Sequence, residues 1–185
     1  IGREKAAIAR AGVPLWIGSF SGPDRDQAMR EVMACARAQG ARIFRYGIDF
    51  VAPDTAPALS GSHQIGNAAI ACEIAREMGR LRGVAVTLAA VRTGLSGARW
   101  PGRLEWIADD VLLDGAHNPE AAAALRAAIL AMPADRRPRT LLTSIVRGKD
   151  VPGILGELTP GFDRVIATGS SSNRALPAQA LADLA

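Results

Sequence analysis

The stretch VLLDGAHNPEAAAAL, residues 111–125, places Asp114, His117 and Asn118 between an apolar run and an alanine-rich one. The oxygens of Asp114 suit the hydroxyls of a ribose. The imidazole of His117 suits a phosphate or its leaving oxygen. Asn118 followed by Pro119 has the pattern of an N-cap and a first helical residue, and Gly115 before them suits a tight turn. A helix start offers free N–H groups and a partial positive charge, which favours a phosphate. The same residues also suit plain capping, with His117 bonded only to the backbone. Their types and spacing leave both readings open.

A second chemical signal lies in the cations. Of 22 basic residues only Lys5 and Lys149 are lysines. Arginine keeps its charge permanently, whereas a lysine amine can lose its proton and react. A chain that otherwise prefers arginine retains lysine where arginine would not serve.

These groups need elements to hold them. Residues 1–10 read as a helix end and VPLWIGS as a short buried strand. PDRDQAMREVMACARAQG reads as an amphipathic helix with Pro23 at its start and Gly40 at its stop. ARIFRYG reads as a strand and VAPDTAPALSGS as an aperiodic connection, with His63 just beyond it expected in a loop, as a structural residue or a minor nucleotide contact. NAAIACEIAREMG is expected as a helix stopped by Gly79, and VTLAAVRTGL as another. Pro101 and Gly102 interrupt the texture, so a domain boundary is placed near Trp100. Beyond it, strand patterns (RLEWI, VLLDG, RTLLTSIV, RVIAT) alternate with helical ones (NPEAAAALRAAILAM, VPGILGEL, PAQALADLA). This predicts an α/β fold with a mostly parallel sheet covered by helices. Ligands of such sheets bind at the carboxyl ends of strands, where VLLD would end.

Composition narrows the class. A chain of 185 residues holds one large domain or two small ones. No apolar run approaches the roughly 18 residues of a membrane helix. The pI is about 9.8, yet the arginines are scattered and aromatics are 4%, which argues against a nucleic-acid partner. Cys35 and Cys72 suggest neither a disulfide framework nor a metal knuckle, and a reducing cytoplasm fits. The chain starts at Ile1 rather than methionine, and a piece of something longer is expected.

DGAHN, preceded by WPGRLEW, resembles the carboxy-terminal signature of the folylpolyglutamate synthase/dihydrofolate synthase family, part of the Mur-ligase-like group of ATP-dependent ligases. IGREKAAIARAGVP resembles the EKAGI segment of that family's central ATPase domain. HQIGNAAIA resembles its asparagine-bearing helix, RGKD its DKD turn, and RALPAQALA a segment near its carboxy-terminus. The order is the same along the chain.

The resemblance implies residues 1–100 as the end of a Mur-type central ATPase domain and 101–185 as a Rossmann-like ligase domain, incomplete at its end. It implies ATP and Mg2+ as cofactors, and ligation of L-glutamate to dihydropteroate or folate through an acyl phosphate. Another Mur-type ligase and a non-catalytic nucleotide-binding module stand as the alternatives. Lys5 matches the lysine carried as a carbamate near the metal. Asn67 matches an ATP-contacting asparagine, whose amide can read the adenine edge; as a plain structural residue it would cap a helix start. Arg103 matches the phosphate-binding arginine, a planar fork of donors. Asp114 matches a second ATP contact, to ribose, at an open strand end where replacement by alanine would disturb folding little. His117 is expected beside the phosphates, and Lys149 and Asp150 have no assigned role. The partners implied are small molecules only, with no nucleic acid or membrane, and a monomer is expected. The family's P-loop, pterin-binding region and two metal ligands would precede Lys5, and the connection between Phe50 and His63 is short against the family pattern.

Overall fold

The computed structural model describes residues 2–20, 24–133 and 138–185, which form two compact units, Ile1–Trp100 and Pro101–Ala185. Pro23, expected at a helix start, lies outside the described residues.

The first unit contains α1 (Gly2–Ala6), β1 (Pro14–Ile17), α2 (Arg25–Ala38), β2 (Arg42–Arg45), α3 (His63–Arg82) and α4 (Leu88–Gly97). The strands β1 and β2 pair in parallel, Pro14 opposite Arg42 through Ile17 opposite Arg45, with α2 as the crossover. Met29, Val32, Met33 and Ala36 recur at helical spacing along α2. Val32 is buried with Ala6 and Ile17, and Met29 and Met33 pack against them. Gly40 ends the element at φ 70°, its N–H bonded to Arg37 O and that of Ala41 to Ala36 O. This is the pairing of a Schellman motif.

The helix α3 departs from expectation at both ends. It begins at His63, so His63 lies in the first turn and not in a loop, and Asn67 lies inside the helix rather than capping it. It runs through Gly79 and stops at Gly83, φ 67°. Gly79 serves a different need, because the chain folds back over it. A Cβ there would lie 2.5 Å from Val84 O and 2.8 Å from Val86 Cγ2. The Thr87 hydroxyl then caps α4 by accepting from Ala90 N–H at 3.1 Å. Cys72, Ala68 and Leu95 form a small buried cluster between the two helices. Cys35 and Cys72 are free thiols.

The second unit contains β3 (Glu105–Ala108), β4 (Val111–Leu113), α5 (Pro119–Leu130), β5 (Thr140–Thr143), α6 (Val151–Leu158), β6 (Arg164–Ala167) and α7 (Ala178–Ala182). β5 and β6 pair in parallel around α6, Thr140 opposite Arg164. Val151, Ile154, Leu155 and Leu158 line one face of α6 and are buried with Ala122, Ile145 and Leu181. This core fixes α5 against α6.

The expected parallel strand at VLLD is corrected. β4 is the return strand of an antiparallel hairpin with β3, Glu105 opposite Leu113 and Trp106 opposite Leu112. Only Asp109 and Asp110 separate the two strands. A two-residue connection joins antiparallel neighbours and is too short for a crossover. Asp114 therefore leaves a hairpin and not the carboxyl end of a parallel strand. Among the described residues no helix is long and apolar enough to cross a membrane.

Candidate functional site

The hairpin of the second unit carries its chemistry at its open end. Arg103 stands between two left-handed residues, Gly102 at φ 70° and Leu104 at φ 46°. For leucine this conformation costs roughly 1–2 kcal/mol, so its surroundings must hold it. Three hydrogen bonds do so. Gly102 N–H donates to Glu105 Oε2 at 2.7 Å, and Leu104 N–H donates to Asp114 Oδ2 at 3.0 Å. Gly115 N–H donates to Gly102 O at 2.8 Å.

This stitching brings Arg103 beside the DGAHN turn. A Cβ on Gly115 would lie 3.8 Å from Arg103 Nη1 and 3.4 Å from Gly102 O. Gly115 is not among the residues with positive φ, so the tight turn expected of it is not what it provides; it leaves room for the arginine loop. The guanidinium of Arg103, half-buried, has no hydrogen-bond or ion-pair partner among the described residues. A five-donor fork in that condition is free to meet an anion.

Asp114 is more than an open acceptor. Its Oδ1 accepts from Ala116 N–H at 2.8 Å while Oδ2 holds Leu104. Asp114 was expected at an open strand end with little part in folding, yet both oxygens satisfy backbone donors. A carboxylate has about four acceptor positions, so capacity remains for a further donor.

His117 is exposed, and its Nδ1–H donates to Gly115 O at 2.9 Å. In the neutral ring this leaves Nε2 as an acceptor. Asn118 caps α5, its Oδ1 accepting from Ala121 N–H at 2.8 Å, and Pro119 takes the first turn. Asp150 likewise caps α6 by accepting from Gly153 N–H at 3.0 Å. A Cβ on Gly153 would overlap the Asp150 carboxylate and lie 2.8 Å from Pro119 Cγ, so the starts of α5 and α6 meet there. Lys149, half-buried, immediately precedes that cap.

In the first unit Lys5 lies exposed on α1, its side chain without a partner among the described residues. Asn67 Nδ2 donates to Gln64 Oε1 at 3.0 Å, and Gln64 Nε2 meets His63 Nε2 at 3.0 Å. Gln64 is 7% exposed, and its two hydrogen bonds fix the amide orientation of Asn67. A pocket of about 350 Å3 also opens in this unit, lined by Asp49, Pro53, Cys72, Glu73, Arg76 and Arg92 among others. Neither Lys5 nor Asn67 reaches it. Burial pushes the Cys72 thiol above its ordinary value, with Arg76 opposing, which keeps it protonated and unreactive. No group of three or more His, Cys, Asp or Glu side chains among the described residues is placed to hold a metal.

Sequence reasoning overlooked Glu105, Leu104 and Gln64. Glu105 had a signal, an acidic residue three positions beyond the glycine of a Pro-Gly turn. Leu104 had none, because nothing in a leucine announces a positive φ.

Comparison with known proteins fits this arrangement. Residues 102–185 match the Mur ligase, glutamate ligase domain. The dihydrofolate synthase/folylpolyglutamate synthase of Mycobacterium tuberculosis is 33% identical over 186 residues, covering 98% of this chain and 38% of the relative. The chain is a homologue of folylpolyglutamate synthases/dihydrofolate synthases. The folylpolyglutamate synthase of Lacticaseibacillus casei is 29% identical, covering 96% of this chain and 46% of the relative. A crystal structure of the Mycobacterium tuberculosis folylpolyglutamate synthase, complexed with ADP and AMPPCP, superposes with a TM-score of 0.82 at 29% identity over 99% of this chain and 46% of that one. The chain thus spans less than half the length of these relatives. Arg103, Asp114, His117 and Lys149 fall inside the matched ligase domain, and Lys5 and Asn67 precede it.

Proposed function

We propose that the polypeptide carrying these 185 residues ligates L-glutamate to dihydropteroate, to reduced folates, or to both, at the expense of ATP. The substrate carboxylate attacks the γ-phosphate and forms an acyl phosphate. The glutamate amine then displaces phosphate and leaves an amide. Such a reaction asks its enzyme for positioning and charge neutralisation more than for covalent chemistry. The homologues support this reading, as does the ADP and AMPPCP complex of the Mycobacterium tuberculosis relative.

The observation that carries it is the guanidinium of Arg103, beside Gly115 and without a partner among the described residues. In this reading Arg103 meets the ATP phosphates. Asp114 fixes the loop that bears Arg103 and offers its spare lone pairs to ribose. His117, whose Nδ1–H is held by Gly115 O, stands near the transferred phosphoryl group. Asn67, its amide oriented by Gln64, reads the adenine edge. Lys5, without a partner among the described residues, loses a proton and takes up CO2, and the resulting carbamate is an anion that would help hold magnesium. Magnesium belongs to such a reaction as the counter-ion of ATP. Among the described residues no group of three His, Cys, Asp or Glu would hold it, and the Lys5 carbamate is what this chain would offer. The reading places a monomeric enzyme in the cytoplasm, acting on small molecules alone.

The test is an assay of the complete gene product with dihydropteroate, tetrahydrofolate and a muramoyl peptide, each with ATP and glutamate. Glutamyl amide should form with a pteroate-type acid. Turnover with the muramoyl peptide alone sinks the folate reading.

A further inference from the structure

Arg103 does not point where it does by its own rotamer alone. Its backbone sits between Gly102 at φ 70° and Leu104 at φ 46°, two consecutive departures into the left-handed region on either side of one arginine. Two carboxylates hold the two departures. Asp114 Oδ2 takes the N–H of Leu104 at 3.0 Å, and Glu105 Oε2 takes the N–H of Gly102 at 2.7 Å. Both come from the same end of the hairpin, since Glu105 pairs with Leu113 and Asp114 follows Leu113. The ladder sets the spacing of the clamp.

We infer that Glu105 is a positioning residue for Arg103, holding the left-handed Gly102–Leu104 loop so that the guanidinium meets the phosphates of ATP. This rests on the phosphate role proposed for Arg103. Glycine moves readily between positive and negative φ. Without an acceptor at its N–H, Gly102 is free to leave its present conformation, and the long arginine side chain magnifies a small backbone rotation. Glu105 itself need not touch nucleotide. Its half-buried carboxylate spends one oxygen on the backbone.

The experiment measures KM for ATP and kcat in the complete enzyme for Arg103→Ala, Glu105→Ala, Glu105→Gln and the double variant Arg103→Ala/Glu105→Ala. Glu105→Ala should raise KM for ATP by roughly tenfold, the scale of one lost charge-assisted hydrogen bond. Glu105→Gln keeps an oxygen acceptor and should recover most of that loss, which also serves if the alanine variant folds poorly. The double variant should be no worse than Arg103→Ala alone, because a residue that acts through another has nothing left to do once the other is gone. Additive losses in the double variant, an unchanged KM for Glu105→Ala beside an impaired Arg103→Ala, or a Glu105→Gln variant as impaired as Arg103→Ala, overturn the inference while leaving the role of Arg103 intact. An unchanged KM for Arg103→Ala overturns the phosphate role itself and this inference with it.

Discussion

The carboxylate of Asp114 and the backbone N–H of Leu104 are joined by a 3.0 Å hydrogen bond that holds a leucine at φ 46°. A residue expected as a ligand contact is thus also a strut. Asp114→Ala removes acceptors from Leu104 and from Ala116, whose N–H bonds Oδ1 at 2.8 Å. Stability should fall by roughly 1.5–3 kcal/mol, the scale of a hydrogen bond to a charged group. Asp114→Asn has one oxygen for two donors and should recover only part of this. Urea denaturation of the three proteins checks it, and an alanine variant as stable as the parent contradicts the strut.

Lys5→Arg should lower kcat on the order of a hundredfold, as when a preorganised electrostatic group is lost from a transition state. The substitution keeps a cation at an exposed position of α1 that has no partner among the described residues. A surface lysine there would tolerate it. Steady-state turnover of the complete enzyme decides, and near-normal kcat removes the carbamate from the account.

Glu77 accepts hydrogen bonds from Arg80 at 2.7 and 2.8 Å and from Arg42 at 3.3 Å, tying α3 to β2. The Arg80 hydrogen bonds hold its carboxyl below the ordinary 4.5. A depressed carboxyl pKa contributes stability that is full above the unfolded value and is lost as pH falls through the folded one. Parent stability should therefore drop on acidification below 4.5, with part of the drop absent in Glu77→Gln. Denaturation midpoints across that range measure the difference, and parallel pH profiles refute it.

The parallel pairs β1–β2 and β5–β6 were legible because an apolar run, an amphipathic helix and a second apolar run leave few alternatives. The hairpin was misread although Asp109 and Asp110 already marked a tight turn. Alternation of strands and helices elsewhere had suggested parallel pairing, and length of connection should have decided. Gly79 and Gly83 look alike in sequence. Only the return of Val84 and Val86 across Gly79 separates a glycine needed for close packing from one needed for a left-handed cap. At the candidate site, residue types suggested Asp114 and His117, the family resemblance suggested Arg103, and the caps at Asn118 and Asp150 follow ordinary helix-start chemistry. The clamp by Glu105 was invisible, because it depends on which backbone N–H groups are left without partners once the loop turns left-handed.

The central claim is that a substrate carboxylate is activated by the γ-phosphate of ATP before glutamate attacks. The direct measurement is oxygen transfer: the complete enzyme is given a pteroate-type acid labelled with heavy oxygen in its reacting carboxylate, with ATP and glutamate, and the released phosphate is analysed by mass spectrometry. The account predicts one labelled oxygen in each phosphate released per amide formed. Phosphate free of label, alongside amide product, would contradict it.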